Sequence, residues 1–344
     1  MSPEPRILFV CNAGPAVGGG HVMRSLTLAG ALSDLGATCT FLAPPSVANV
    51  LDAFAPEASR APAASTAPAD LAPAAVRVEA DALVFDHYDL AASDHDAMAG
   101  GRPVLVIDDL ADRPLGADMV LDSGPARRAM DYAGLVPAHA QVLTGPMTAP
   151  VRPEFAALRP EALARRGGPV RRVQVALGLT DVGGVTGRVV EALRPVLGRV
   201  ALDVVVGGQA PSLESLRRIA AADSRVRLHV DAQDMARLTL EADLAVGAAG
   251  STTWERCVLG LPSVLIQLAR NQIQAASFMK ETGAALTIDL SSESFMADLT
   301  CAIQTLLADD ALRADLSARS AALCDGRGAE RVAATFMALV RSRA

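Results

Sequence analysis

Arg6-Ile7-Leu8-Phe9-Val10-Cys11 runs directly into Asn12-Ala13-Gly14-Pro15-Ala16-Val17-Gly18-Gly19-Gly20-His21, and Val22-Met23-Arg24-Ser25-Leu26 continues with helical spacing. A short apolar run, a glycine turn and an amphipathic segment make one strand–turn–helix unit of a parallel sheet covered by helices. The unit recurs. The first half reads as strands at 6–11, 38–43, 82–86, 103–107 and 118–121, with a helix over 21–35 closed by Gly36. The second half reads as strands at 171–176, 201–206, 226–230, 243–247, 263–266 and 284–287, each followed by a helical pattern. The fold class is therefore α/β, with two Rossmann-like domains facing across a cleft.

At 344 residues the chain is longer than a single core usually supports, which also calls for two domains. The expected division is 1–150, a linker at 151–169 marked by prolines and Gly167-Gly168, and 170–344, with terminal helices free to pack back on the first domain. The Ala/Pro-rich stretch 55–75 reads as an irregular surface connection. Basic and acidic residues number 31 and 38, a net charge of −7, and no block of five like charges occurs. That balance argues against nucleic acid and anionic membranes as partners. No run of about 18 apolar residues appears, and the five scattered cysteines form no CxxC pair, so the expectation is a cytoplasmic protein with reduced thiols. Lys280 is the single lysine, so 30 of the 31 basic residues are arginine, which rules out a P-loop lysine elsewhere.

Ligands of open α/β sheets bind at the carboxyl ends of the strands, so chemistry is sought there. The first glycine loop lacks the GxGxxG spacing, and the second strand ends in Leu42-Ala43-Pro44-Pro45 without the acidic residue that holds an adenosine ribose. What remains is His21 in the first turn of a helix, whose positive end favours an uncharged imidazole able to accept a proton. His21 is the candidate general base, against the plainer reading of a packed helix start.

Phe85-Asp86-His87-Tyr88-Asp89 ends another strand and is rich in titratable groups. Asp94-His95-Asp96 beside it suggests a metal, but the histidine spacing fits no common ligand pattern, and no metal is expected. Tyr88 and Tyr132, the two tyrosines, fall at loop positions as hydrogen-bonding groups for a sugar or as half-buried structural residues. Asp108, Asp109 and Asp112 close the next strand, as acid/base groups or, slightly better, as turn caps. In the second half, Ala248-Ala249-Gly250-Ser251-Thr252-Thr253-Trp254-Glu255 joins a buried strand to a helix. Gly250, Ser251 and Thr252 can present N–H and O–H groups to a diphosphate, and Glu255 can accept from a ribose or simply favour the helix dipole.

Read in order, Gly18-Gly19-Gly20-His21-Val22-Met23-Arg24, Phe85-Asp86-His87-Tyr88, Asp131-Tyr132-Ala133-Gly134-Leu135-Val136-Pro137, Val151-Arg152-Pro153-Glu154-Phe155, the Gly250–Glu255 stretch and Asn271-Gln272 resemble the UDP-sugar hydrolases of pseudaminic acid biosynthesis. These are relatives of the glycosyltransferase-B enzymes, which include the transferase completing lipid II. The resemblance spans roughly residues 6–290. It implies that water displaces UDP from UDP-2,4-diacetamido-2,4,6-trideoxy-β-L-altropyranose without a metal; direct attack by one water predicts inversion of the anomeric carbon, and no cofactor or obligate protein partner is expected. By that resemblance His21 is the base, with Gly20, Arg24, His87, Tyr88, Tyr132, Arg152, Asn271 and Gln272 on the substrate side. Gly178, Thr180, Met235 in the loop 231–235, Gly250, Ser251, Thr252 and Glu255 would hold UDP. The family's Gly-Gly-x-Asp turn stands here as Gly178-Leu179-Thr180-Asp181. A glycosyltransferase of the same architecture and a non-catalytic nucleotide-sugar binder are the competing expectations.

Overall fold

The computed structural model describes residues 4–14 and 17–343. The chain packs as two compact units, one holding the sequence up to Pro150 and again from Arg327, the other Val151–Gly326.

In the first unit the elements are β1 (Arg6–Cys11), α1 (Gly20–Ser33), β2 (Thr38–Ala43), α2 (Pro45–Phe54), β3 (Arg60–Pro62), α3 (Pro68–Val76), β4 (Ala82–Asp86), α4 (Ala92–Ala99), β5 (Val104–Ile107), β6 (Met119–Asp122) and β7 (Gln141–Thr144). The strands form one parallel sheet ordered β3-β2-β1-β4-β5-β6-β7. Alternation along β1 explains how both faces are filled. Ile7, Phe9 and Cys11 join Val22, Leu28 and Leu32 of α1 in one core, while Leu8 and Val10 join Leu42, Leu71 and Phe85 in the other. A strand buried on both sides needs apolar residues without a break, and β1 has them from Ile7 to Cys11, after the exposed Arg6.

The second unit contains α5 (Pro153–Arg165), β8 (Arg172–Ala176), α6 (Val185–Leu193), β9 (Ala201–Val206), α7 (Leu213–Ala222), β10 (Val226–Val230), α8 (Met235–Glu241), β11 (Leu244–Ala248), α9 (Thr252–Val258), β12 (Ser263–Gln267), α10 (Ile273–Glu281), β13 (Leu286–Asp289), α11 (Phe295–Ala308) and α12 (Asp310–Leu323). Its six-stranded parallel sheet runs β10-β9-β8-β11-β12-β13, repeating the strand order of the first without a counterpart of β7. The last helix, α13 (Gly328–Arg343), belongs to the first unit, where Val332, Ala333, Phe336, Met337 and Val340 form a buried stripe against the α1 core. Those positions recur at the helical period, so one face is apolar throughout.

Two expectations are corrected. The stretch 151–169 is not a free linker. Pro153 opens α5 at a position where its missing N–H costs nothing, and Phe155 and Ala162 are buried. Arg159 then donates to the carbonyls of Val258, Ala321 and Cys324 at 2.6, 2.7 and 3.0 Å, tying α5 into the second unit. The stretch 55–75 is also ordered into β3 and α3. Arg60 fixes β3 by donating to Asp52 at 2.6 Å and to the carbonyl of Pro56, and Pro68 starts α3 as Pro153 starts α5. Proline-rich composition concealed two helices that each start at a proline and carry a second one inside, Pro73 in α3 and Pro160 in α5. Among the described residues no helix is long and apolar enough to cross a membrane.

Candidate active site

In each sheet the strand order reverses direction between the first strand of the unit and its neighbour, β1 beside β4 and β8 beside β11. Loops leaving the carboxyl ends of such a pair diverge to opposite faces and leave a crevice for ligand. The register places Cys11, the last residue of β1, directly opposite Asp86, the last residue of β4. The glycine loop after β1 then returns His21 to that point.

The His21 Nδ1 lies 2.5 Å from Asp86 Oδ1, and both side chains are buried. Arg24, one helical turn after His21, donates through Nε to Asp86 Oδ2 and through a terminal nitrogen to Oδ1, both at 2.6 Å. Its other terminal nitrogen reaches both oxygens of Asp109 at 3.1 and 3.0 Å. The Tyr88 hydroxyl donates to Asp109 at 2.6 Å, and the Tyr88 ring meets the His21 ring edge-on with centroids 4.6 Å apart. Burial alone would raise the Asp86 carboxyl, but Arg24 and His21 overcome it and hold the group well below the usual carboxylate range. Burial and the Asp109 carboxylate push the Tyr88 phenol up, so it stays a donor. An ionised Asp86 at 2.5 Å requires the proton on Nδ1 of a neutral His21 ring, which leaves Nε2 with a lone pair. That is the tautomer of a general base backed by a carboxylate.

Not every expected residue joins this cluster. His87 is buried, its Nδ1 accepting from the Asp89 N–H at 3.2 Å and its Nε2 donating to the Thr66 carbonyl at 2.9 Å. Both nitrogens are engaged in the loop, and burial, opposed by the Thr66 contact, pushes its pKa down. Tyr132 is fully buried in a short 3-10 turn, its hydroxyl 2.9 Å from Asp122 and 3.0 Å from Asp108, so it links the ends of β5 and β6 inside the core. Asp108 caps its own turn through the N–H groups of Leu110 and Ala111, as the capping reading expects, while Asp109 does not. His95 packs on Phe85 and accepts from the Gly116 N–H, and Asp94 caps the start of α4. No group of three metal-ligating side chains occurs among the described residues.

In the second unit Gly178, with φ +106°, leaves the end of β8, and the half-buried Leu179 and Thr180 follow. The Leu179 carbonyl accepts from the Gly207 N–H at 3.1 Å, and a Cβ on Gly207 would overlap that carbonyl, so this turn is held at close quarters. Asp181, also at positive φ, accepts from the N–H groups of Thr186 and Ser212 at 2.8 and 2.9 Å. Across the switch point, Gly250, Ser251 and Thr252 lead from β11 into α9. Gln272 lies against Gly250 and accepts from the Leu268 N–H at 3.0 Å, while Asn271 is exposed. Glu255 Oε1 accepts from Arg152 Nε at 2.8 Å. Arg152 thereby belongs with Glu255. Met235 begins α8, half-buried, after the turn in which Asp231 takes the Gly208 N–H at 2.9 Å. Arg256, also buried, donates to the Ala248 carbonyl at 2.7 Å and to the hydroxyls of Thr252 and Thr253.

Sequence reasoning named Asp86 only as one of several titratable groups and missed both Asp109 as its partner across Arg24 and the turn-binding role of Arg256. The usable signal for Asp86 was a carboxylate closing an otherwise apolar strand, where only a paired charge can be tolerated.

No family model matches the chain. It is 23% identical over 280 residues, 81% of this chain and 97% of the relative, to the UDP-2,4-diacetamido-2,4,6-trideoxy-beta-L-altropyranose hydrolase of Campylobacter jejuni. It is 33% identical over 192 residues to a UDP-N-acetylglucosamine–N-acetylmuramyl-(pentapeptide) pyrophosphoryl-undecaprenol N-acetylglucosamine transferase of Xanthomonas campestris, a match covering 54% of this chain and 44% of that one. Among solved structures, the MurG protein of Acinetobacter baumannii superposes with a TM-score of 0.64 over 97% of this chain and 99% of its own, at 17% identity. The chain thus has the two-domain glycosyltransferase-B fold and is similar, along 81% of its length, to a UDP-sugar hydrolase.

Proposed function

We propose that this protein is a metal-independent hydrolase that releases UDP from a UDP-diacetamido-trideoxyhexose, with UDP-2,4-diacetamido-2,4,6-trideoxy-β-L-altropyranose as the expected substrate and nonulosonate synthesis for surface or flagellin glycans as its setting. The observation that carries the reading is the buried His21–Asp86 pair at the switch point of the first sheet. His21 Nε2 takes a proton from water while the water oxygen forms a bond to the anomeric carbon. The bond from that carbon to the diphosphate oxygen breaks, its electron pair leaving with UDP. Asp86 holds the ring in the required tautomer and balances the imidazolium as it forms. Attack by one water from the face opposite UDP inverts the carbon.

The residues that would hold UDP lie in the second unit. Backbone N–H groups of Gly178 and Thr180 and of the Gly250–Thr252 turn suit the diphosphate, Glu255 suits the ribose hydroxyls, and the turn up to Met235 suits the uracil. Arg152 occupies one Glu255 oxygen and leaves the other to accept. The 33% match to an N-acetylglucosamine transferase favours one rival, in which a sugar hydroxyl replaces water. Incubating the purified chain with the UDP-sugar and no acceptor, and following UDP and the free sugar's anomer by NMR, separates the two. The hydrolase reading expects stoichiometric UDP and inverted sugar, with His21→Asn abolishing turnover while UDP still binds. Turnover only with an added acceptor makes the protein a transferase.

A further inference from the structure

We infer that Asp109 is a positioning residue that sets the charge of the base, an inference that rests on the reading of His21 as that base. Four ionisable groups form one chain of contacts: His21 at 2.5 Å from Asp86, Asp86 held twice by Arg24, and Arg24 held twice by Asp109. With neutral His21 the set carries one net negative charge, and it becomes neutral when His21 gains a proton. Were Asp109 uncharged, Arg24 and Asp86 would cancel each other, and imidazolium formation would leave an uncompensated positive charge in a buried place. Asp109 thus supplies the anion that Arg24 consumes, which frees Asp86 to serve His21.

The other groups facing His21 do not take over this task. Tyr88, packed edge-on against its ring, keeps its proton and spends it on Asp109. His87 is held toward its neutral form by burial, and the Cys11 thiol at the end of β1 is pushed up by burial and remains uncharged. The apparent function of Asp109 as a turn cap is filled by Asp108 instead.

The test is an NMR titration of the His21 ring in the full chain without substrate, for wild type, Asp109→Asn and Asp109→Glu. A unit charge one guanidinium away, at an effective dielectric near ~20, moves a titration midpoint by about one unit. Asp109→Asn is expected to lower the His21 midpoint by about that much, Asp109→Glu to restore it, and the acid limb of kcat/KM to follow the midpoint. An unchanged midpoint in Asp109→Asn, or equal shifts in both variants, overturns the inference. If Asp109→Asn does not fold, Asp109→Ser takes its place as the charge-removing variant: a lowered midpoint supports the charge role and an unchanged one refutes it. Absence of UDP-sugar turnover in the wild type would sink the functional reading and leave the titration result standing.

Discussion

Asp86→Asn is the sharpest perturbation of the proposed chemistry. The carboxylate accepts three close contacts, one from His21 at 2.5 Å and two from Arg24 at 2.6 Å, and it has no exposure to solvent. An asparagine offers one oxygen and one amide nitrogen. Arg24, always a donor, claims the oxygen, so the amide N–H turns toward His21 Nδ1. That nitrogen must then accept, the ring proton moves to Nε2, and the lone pair needed to deprotonate water is lost. A wrong tautomer in a carboxylate-backed base costs about 10³- to 10⁴-fold in kcat, roughly 4 to 5.5 kcal/mol of barrier. The same change weakens a buried ion pair, so a stability loss of about 3 kcal/mol is expected beside it. The assay is kcat from continuous UDP release, together with UDP affinity by calorimetry and the melting temperature. The expected result is a collapse of kcat with UDP affinity within about twofold, because the proposed UDP contacts lie in the other unit. A folded Asp86→Asn protein retaining a tenth or more of wild-type kcat would refute the tautomer reasoning, whatever its stability.

Three further expectations follow from the same geometry. Glu255→Gln should weaken uridine binding by about tenfold, the value of a charge-assisted hydrogen bond, with little effect on a 2′,3′-dideoxyuridine analogue; equal losses for both ligands would deny a ribose contact. His87→Gln preserves a donor toward the Thr66 carbonyl and should keep kcat within about tenfold, whereas a larger loss in a protein of unchanged melting temperature would return His87 to the substrate. Asp122 is pushed up to about 6, first by burial and then by Asp109, from an ordinary value of 3.8. A raised folded-state value means its stabilising contribution is complete below 3.8 and is lost as pH rises through about 6. Asp122→Asn should therefore gain stability relative to wild type between pH 5 and pH 8, up to about 2 to 3 kcal/mol, read from denaturant midpoints at each pH.

What could be read from the sequence divides along a physical line. Strands such as Leu8–Val10 and Val84–Phe85 announce themselves because a doubly covered parallel strand needs unbroken apolar side chains, and the glycine turns after them are local signals too. The helices at Pro153 and Pro68 were hidden because proline discourages a helix away from its start, and each of them carries a second proline, Pro160 and Pro73, inside it. β7 carries Gln141 and Thr144 at a partly open edge and has no run to recognise. Site residues follow the same rule. His21 was legible from its place after a glycine loop, but its partner is 65 positions away and Asp109 a further 23 beyond that. Their meeting depends on the pairing of β1 with β4 and of β4 with β5, a non-local fact.

Tyr132 shows the same limit from the opposite side. A rare aromatic in a polar loop invites a binding role, yet here its phenol lies between two buried carboxylates, Asp108 and Asp122. A phenol has one hydrogen to give, so it cannot satisfy both when both are ionised; Asp122 is the group pushed up, by burial first and then by the Asp109 carboxylate, against the lowering contacts of Gly124, Tyr132 and Arg127. Arg113 relieves Asp108 at 2.7 Å, while Arg127 reaches Asp122 only at 3.3 Å. The first unit therefore carries two acidic clusters along neighbouring strand ends, one closely paired with Arg24 around Asp86 and one met at longer range by Arg127 around Asp122. Asp109 repels the second while completing the first. Removing the Asp109 charge should thus move the two titrations together, lowering that of Asp122 as it lowers that of His21. A carboxyl carbon-13 titration of Asp122 in Asp109→Asn checks this directly, and an Asp122 midpoint left near 6 would show that burial alone holds it up.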